Sequence, residues 1–120
     1  MSHQREHHRI RYPVKARPRI VVGDSVLEVF DLSESGACLQ ETPLFVAGAP
    51  AREVSILFSD GKEFFTTAVF VRTTQFGVAV QFRQMVPLGR ILSEQRDLWK
   101  RGLQVAPASE LQSKNNLKPK

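Results

Sequence analysis

The feature that most constrains this chain is a succession of six short runs rich in β-branched and aromatic residues, each bounded by turn formers. They cover Arg17–Val22, Val26–Phe30, Gly36–Gln40, Glu53–Phe58, Glu63–Val71 and Phe76–Phe82. Such side chains suit a pleated, half-buried surface, and runs this short are strand-sized rather than helix-sized. Gly23-Asp24-Ser25 separates the first two runs, Asp60-Gly61 closes a tight hairpin between the fourth and fifth, and Thr73-Thr74-Gln75 can close the next. Glu41 to Pro50 reads as a loop, because it carries Pro43, Gly48 and Pro50. Short strands joined by close turns predict a small antiparallel barrel or sandwich, and their imperfect alternation implies that several are buried on both faces.

From Pro87 the apolar period changes. Leu88, Ile91, Leu92, Leu98 and Trp99 fall on one helical face, with Pro87 in the first turn and Gly102 as the stop. A chain of 120 residues forms one domain that needs all its apolar area, so this face is expected to close an open end of the barrel. The expected organisation is a flexible basic arm over 1–13, a β-barrel with its C-terminal helix (87–102) over 14–104, and a polar, disordered tail over 105–120. Tyr12-Pro13 marks the entry of the arm into the domain.

The formal net charge of +5 resides in the first twenty residues, where Arg5, Arg9, Arg11, Lys15, Arg17 and Arg19 face Glu6 alone. An anionic partner is therefore expected near the N-terminus. Cys38 is the single cysteine, which excludes an internal disulfide and a multi-cysteine zinc site. A reducing, cytoplasmic setting follows, and the absence of a long apolar run argues against membrane insertion. No phosphate-binding loop, nucleophile elbow or dinucleotide fingerprint is present, and His3, His7 and His8 lie together near the start, away from Cys38. The expectation is a protein without enzymatic activity, cofactor or metal, in which Cys38 is a small core residue.

Two local patterns carry recognisable chemistry. Arg5 and Arg9 form an Arg-x-x-x-Arg pair, and Asp31-Leu-Ser-Glu-Ser-Gly36 forms an Asp-x-Ser-x-x-Gly turn after the second run. In extended backbone Asp31 and Ser33 point to the same side, while Gly36 permits a positive φ or a close backbone approach. Taken alone, such an Asp or Ser more often satisfies its own turn than a ligand.

In this order, and followed by the Gly-Val-x-Val-x-Phe run at Gly77 to Phe82 and a C-terminal helix, the patterns resemble the PilZ domain, a bacterial receptor module for cyclic di-GMP. The resemblance implies an all-β fold, a six-stranded antiparallel β-barrel with a C-terminal α-helix. It also implies a cyclic di-GMP site made of Arg5, Arg9, Asp31, Ser33 and Gly36. The chemistry agrees with that assignment. Guanidinium groups grip phosphate and the guanine O6/N7 edge through paired donors, and a carboxylate accepts from guanine N1–H and N2–H. Arg5 is flanked by Gln4 and Glu6, where family members often carry a second arginine, a departure that bears on affinity and stoichiometry.

The resulting expectation is a receptor that orders its arm on ligand binding and signals to an effector protein in motility, polysaccharide export or transcription. Two alternatives accompany it. One is a small nucleic-acid-binding barrel, disfavoured because the eight phenylalanines lie mostly in apolar strands. The other is a PilZ-like interaction adaptor without ligand binding, disfavoured by the completeness of the motifs.

Overall fold

The computed structural model describes residues 9–103. Seven strands and one helix follow in chain order: β1 (Arg9–Arg11), β2 (Arg19–Val22), β3 (Ser25–Ser33), β4 (Gly36–Leu39), β5 (Arg52–Leu57), β6 (Glu63–Thr73), β7 (Val78–Phe82) and α1 (Leu88–Lys100). All pairings are antiparallel, in the order β3-β2-β5-β6-β7-β4, and β4 returns to β3 to close a six-stranded barrel. This is the fold class the sequence predicted.

The first difference concerns the arm. Residues 9–13 were expected to belong to a flexible linker, yet Arg9–Arg11 form β1, which takes up the end of β3 that β2 leaves unpaired. Ile10 is fully buried, and Tyr12 donates its backbone N–H to Phe30 O at 2.9 Å. One apolar side chain between two arginines is enough, because an unpaired stretch of β3 offers ready backbone partners. Residues 1–8 and 104–120 lie outside the described residues, and with them Arg5, most of the expected arm and the expected tail.

Inside the barrel, Ile20, Val29, Leu32, Leu39, Ile56 and Ala68 are fully buried, and Phe45 from the 41–50 loop joins the same core. Two strands carry irregular register, β3 between Val29 and Asp31 and β6 between Phe70 and Arg72. Each irregularity inserts one extra residue, Phe30 or Val71, and so turns the following side chains.

The helix starts after Pro87 and ends at Gly102, whose φ of 76° suits a residue without Cβ. Leu103 N–H donates to Leu98 O and Gly102 N–H to Trp99 O, the paired bonds of a Schellman stop. Its buried stripe is Ile91, Glu94 and Leu98, so the expected face is rotated: Leu88 is exposed and Trp99 is 71% exposed. The cause is polar. Tyr12 Oη donates to Glu94 Oε1 at 2.8 Å, and Arg90 Nη1 donates to Glu94 Oε2 at 3.1 Å, which draws a carboxylate onto the buried face, a position the predicted stripe did not include. Arg90 also pairs with Asp60 at 2.9 Å and stacks over Phe58, pinning α1 to the β5–β6 hairpin.

Candidate ligand-binding site

The strand register assembles a site that no single segment contains. Arg11 lies opposite Asp31, Asp31 opposite Cys38, Cys38 opposite Ala79, and Ala79 opposite Arg72. Directly paired residues project from the same side of a sheet, so this row runs across β1, β3, β4, β7 and β6 on the outer wall. The adjacent row, Ile10, Leu32, Ala37, Val80 and Phe70, points to the core. Small residues in the middle of the outer row, with guanidinium groups at both ends, leave a cleft of about 500 Å³.

Arg9, Asp31, Ser33 and Gly36 all line this cleft. Arg9 sits opposite Ser33 and reaches diagonally to Asp31, with Nη1 donating to Oδ1 at 2.8 Å. The Arg9 side chain is largely exposed, and an exposed ion pair is worth at most about 1 kcal/mol, so Arg9 can exchange partners at small cost. Asp31 retains Oδ2 and further lone pairs for another donor.

Ser33 is buried and donates to Gly36 O at 3.3 Å, closing its own turn. That turn is held from below as well, by Phe82 N–H to Ser35 O and Val86 N–H to Glu34 O, both at 2.8 Å. Gly36 is required for close approach rather than for a positive φ, because a Cβ there would overlap the Val80 carbonyl oxygen. The same holds at Gly77, where a Cβ would overlap the Leu39 carbonyl oxygen. The two glycines let β4 and β7 pack tightly beneath the cleft.

Three site residues escaped the sequence reading. Arg11 was noted without a role, and Arg72 and Phe76 were assigned none; all three line the cleft. Neither Arg11 nor Arg72 has an ion pair or side-chain hydrogen bond among the described residues. Among the described residues, the cleft thus carries three guanidinium groups against one carboxylate. Arg11 was legible as the second arginine of an Arg-Ile-Arg alternation, whereas Arg72 depends on the β6 bulge. Cys38 is buried as expected, and it also lies on the cleft floor at the edge of the core, with Sγ 3.6 Å from Thr74 Oγ1.

A closed barrel with an arginine-rimmed cleft on its outer wall, built at a bulged strand and a glycine-dependent turn, defines a binding module. The family model of the PilZ domain matches residues 3–94, and the chain belongs to that family, which comprises cyclic di-GMP receptors and adaptors rather than enzymes. Comparison with curated proteins and with solved structures finds no match. No helix among the described residues is long and apolar enough to cross a membrane.

Proposed function

We propose that this protein is a cyclic di-GMP receptor that passes the signal to an effector protein. The observation that carries the reading is the convergence of Arg9, Asp31, Ser33 and Gly36 on one cleft together with Arg11 and Arg72, two cations without an ion-pair partner among the described residues. Two guanines and two phosphates match this set chemically. Guanidinium forks bind phosphate or the guanine O6/N7 edge, and Asp31 accepts from guanine N1–H and N2–H, a pairing that adenine lacks. Ser33 acts mainly by fixing the turn, and Gly36 by allowing the backbone to approach. The ligand is the only small molecule required, and no cofactor enters the proposal.

Signal transmission follows from the arm. Because Arg9–Arg11 are already hydrogen-bonded in β1, ordering on ligand binding is restricted to the residues before Arg9, including Arg5. Closure of that segment over the cleft creates the surface an effector reads.

Calorimetric titration with cyclic di-GMP, using cyclic di-AMP and a short oligonucleotide as controls, tests the reading. Binding of cyclic di-GMP in clear preference to both supports it. Tight oligonucleotide binding with a steep salt dependence, or no cyclic di-GMP binding, overturns it. Hydrogen exchange tests the arm separately: ligand should add protection over residues 4–8 and 31–36 while β5 is unchanged.

A further inference from the structure

Phe76 is 63% exposed, although it was expected to begin an apolar strand. It lies instead in the β6–β7 turn, and hydrogen bonds close that turn. Thr74 N–H donates to Gly77 O at 2.8 Å, and Thr74 Oγ1 accepts from Phe76 N–H at 3.1 Å and from Gly77 N–H at 2.9 Å. Gly77 is fixed in turn by its close approach to β4. With its backbone held in this way, Phe76 has only its side-chain torsions left to fix on binding.

Its position relative to the clefts is specific. A smaller cleft of about 260 Å³ adjoins the larger one and shares Arg11, Asp31, Cys38 and Phe76 with it. The rest of its wall includes Phe30, the extra residue of the β3 bulge, and Arg17, whose guanidinium stacks 4.6 Å from the Phe30 ring centroid. Among the described residues this cleft therefore combines the Phe30 and Phe76 rings, with Tyr12 also in its wall, the Arg11 and Arg17 guanidinium groups and the Asp31 carboxylate.

Resting on the cyclic di-GMP reading, we propose that Phe76 is a base-stacking residue of the site, receiving one guanine in the smaller cleft while Asp31 binds that base's N1–H and N2–H edge. Every base has a π-face, so the ring contributes affinity, while the carboxylate contributes the choice of guanine.

The test compares the full chain with Phe76→Leu, which keeps apolar bulk without a ring, and Phe76→Trp, which enlarges the ring, in calorimetric titrations with cyclic di-GMP. Phe76→Leu should lose about tenfold or more in affinity, whereas Phe76→Trp should stay within about threefold of the parent. Thermal unfolding of both should match the parent, since the side chain is exposed. In a Phe76→Trp/Trp99→Phe chain the remaining tryptophan fluorescence should be quenched as ligand is added. If the parent binds and Phe76→Leu binds equally well, or if tryptophan fares no better than leucine, the stacking role is overturned and the receptor reading stands. Calorimetric binding without any change in tryptophan emission also overturns it. A parent that does not bind cyclic di-GMP removes both.

Discussion

Replacing Tyr12 by phenylalanine takes one oxygen out of the interior and leaves a carboxylate short of a donor. Tyr12 is 3% exposed and Glu94 is 6% exposed, and 2.8 Å separates Tyr12 Oη from Glu94 Oε1. Burial first, and the neighbouring Glu94 carboxylate second, push the Tyr12 phenol far above its ordinary range, so the proton stays on Tyr12 and the bond is a phenol donating to a carboxylate. A hydrogen bond to a charged group contributes about 1.5–3 kcal/mol. Arg90 still holds Oε2, so the expected loss lies toward the lower end, about 1.5–2 kcal/mol, below the roughly 3–5 kcal/mol of a buried charge stripped of its partner. At about 4–8 °C per kcal/mol for a domain of this size, Tm should fall by roughly 6–16 °C. Thermal unfolding of Tyr12→Phe, Glu94→Gln and the double variant measures both the loss and the coupling, which should reach about 1 kcal/mol. Hydrogen exchange should locate the effect at the Tyr12 amide and β1 before β5. A Tm within about 2 °C of the parent, or strictly additive losses, would refute the stabilising role of the Tyr12–Glu94 hydrogen bond.

Glu94 also predicts a pH dependence. Burial raises its carboxyl above the usual value despite the opposing bonds from Tyr12 and Arg90, so stability from this group is greatest at low pH and falls as pH rises from about 4.5 upward. Glu94→Gln should lose that fall in urea melts. Asp60 acts in the opposite sense: the Lys62 backbone N–H first, and Arg90 second, hold its carboxyl below the usual range, so its contribution is lost on acidification below about 3.8. Arg9→Ala should weaken cyclic di-GMP binding at least about tenfold while changing stability by under about 1 kcal/mol, read by calorimetry and thermal unfolding. Asp31→Ala should erase the preference for cyclic di-GMP over cyclic di-AMP, measured by paired titrations. Gly77→Ala should destabilise the barrel by about 1–3 kcal/mol in denaturant unfolding, because its Cβ meets backbone that cannot move aside alone.

The barrel strands, the Asp60-Gly61 turn, the helix and its Gly102 stop were all legible in the chain, because each is written in local chemistry: β-branched runs, turn residues, an apolar period and a C-terminal glycine. The common side of Asp31 and Ser33 was legible for the same reason, since alternation along an extended strand is a property of the backbone alone. Strand β1 was not: three residues with one apolar side chain become a strand only when an unpaired stretch of β3 is beside them. The inward turn of Glu94 was equally hidden: Arg90 is a local partner one helical turn away, but Tyr12 comes from the far end of the chain and meets Glu94 only in the fold.

Sequence alone therefore determined the elements, the sides on which many residues point, and the pairing of an arginine arm with an Asp-x-Ser-x-x-Gly turn. Only tertiary structure decided that Arg11 and Arg72 bound one cleft, that Cys38 forms its floor, and that Phe76 stands exposed beside it. Those placements depend on the register of five strands and on bulges at Phe30 and Val71. Since side chains alternate with a period of two, a single inserted residue reverses the face of all that follow, and whether it is inserted is decided by the neighbouring strands rather than by the residue itself.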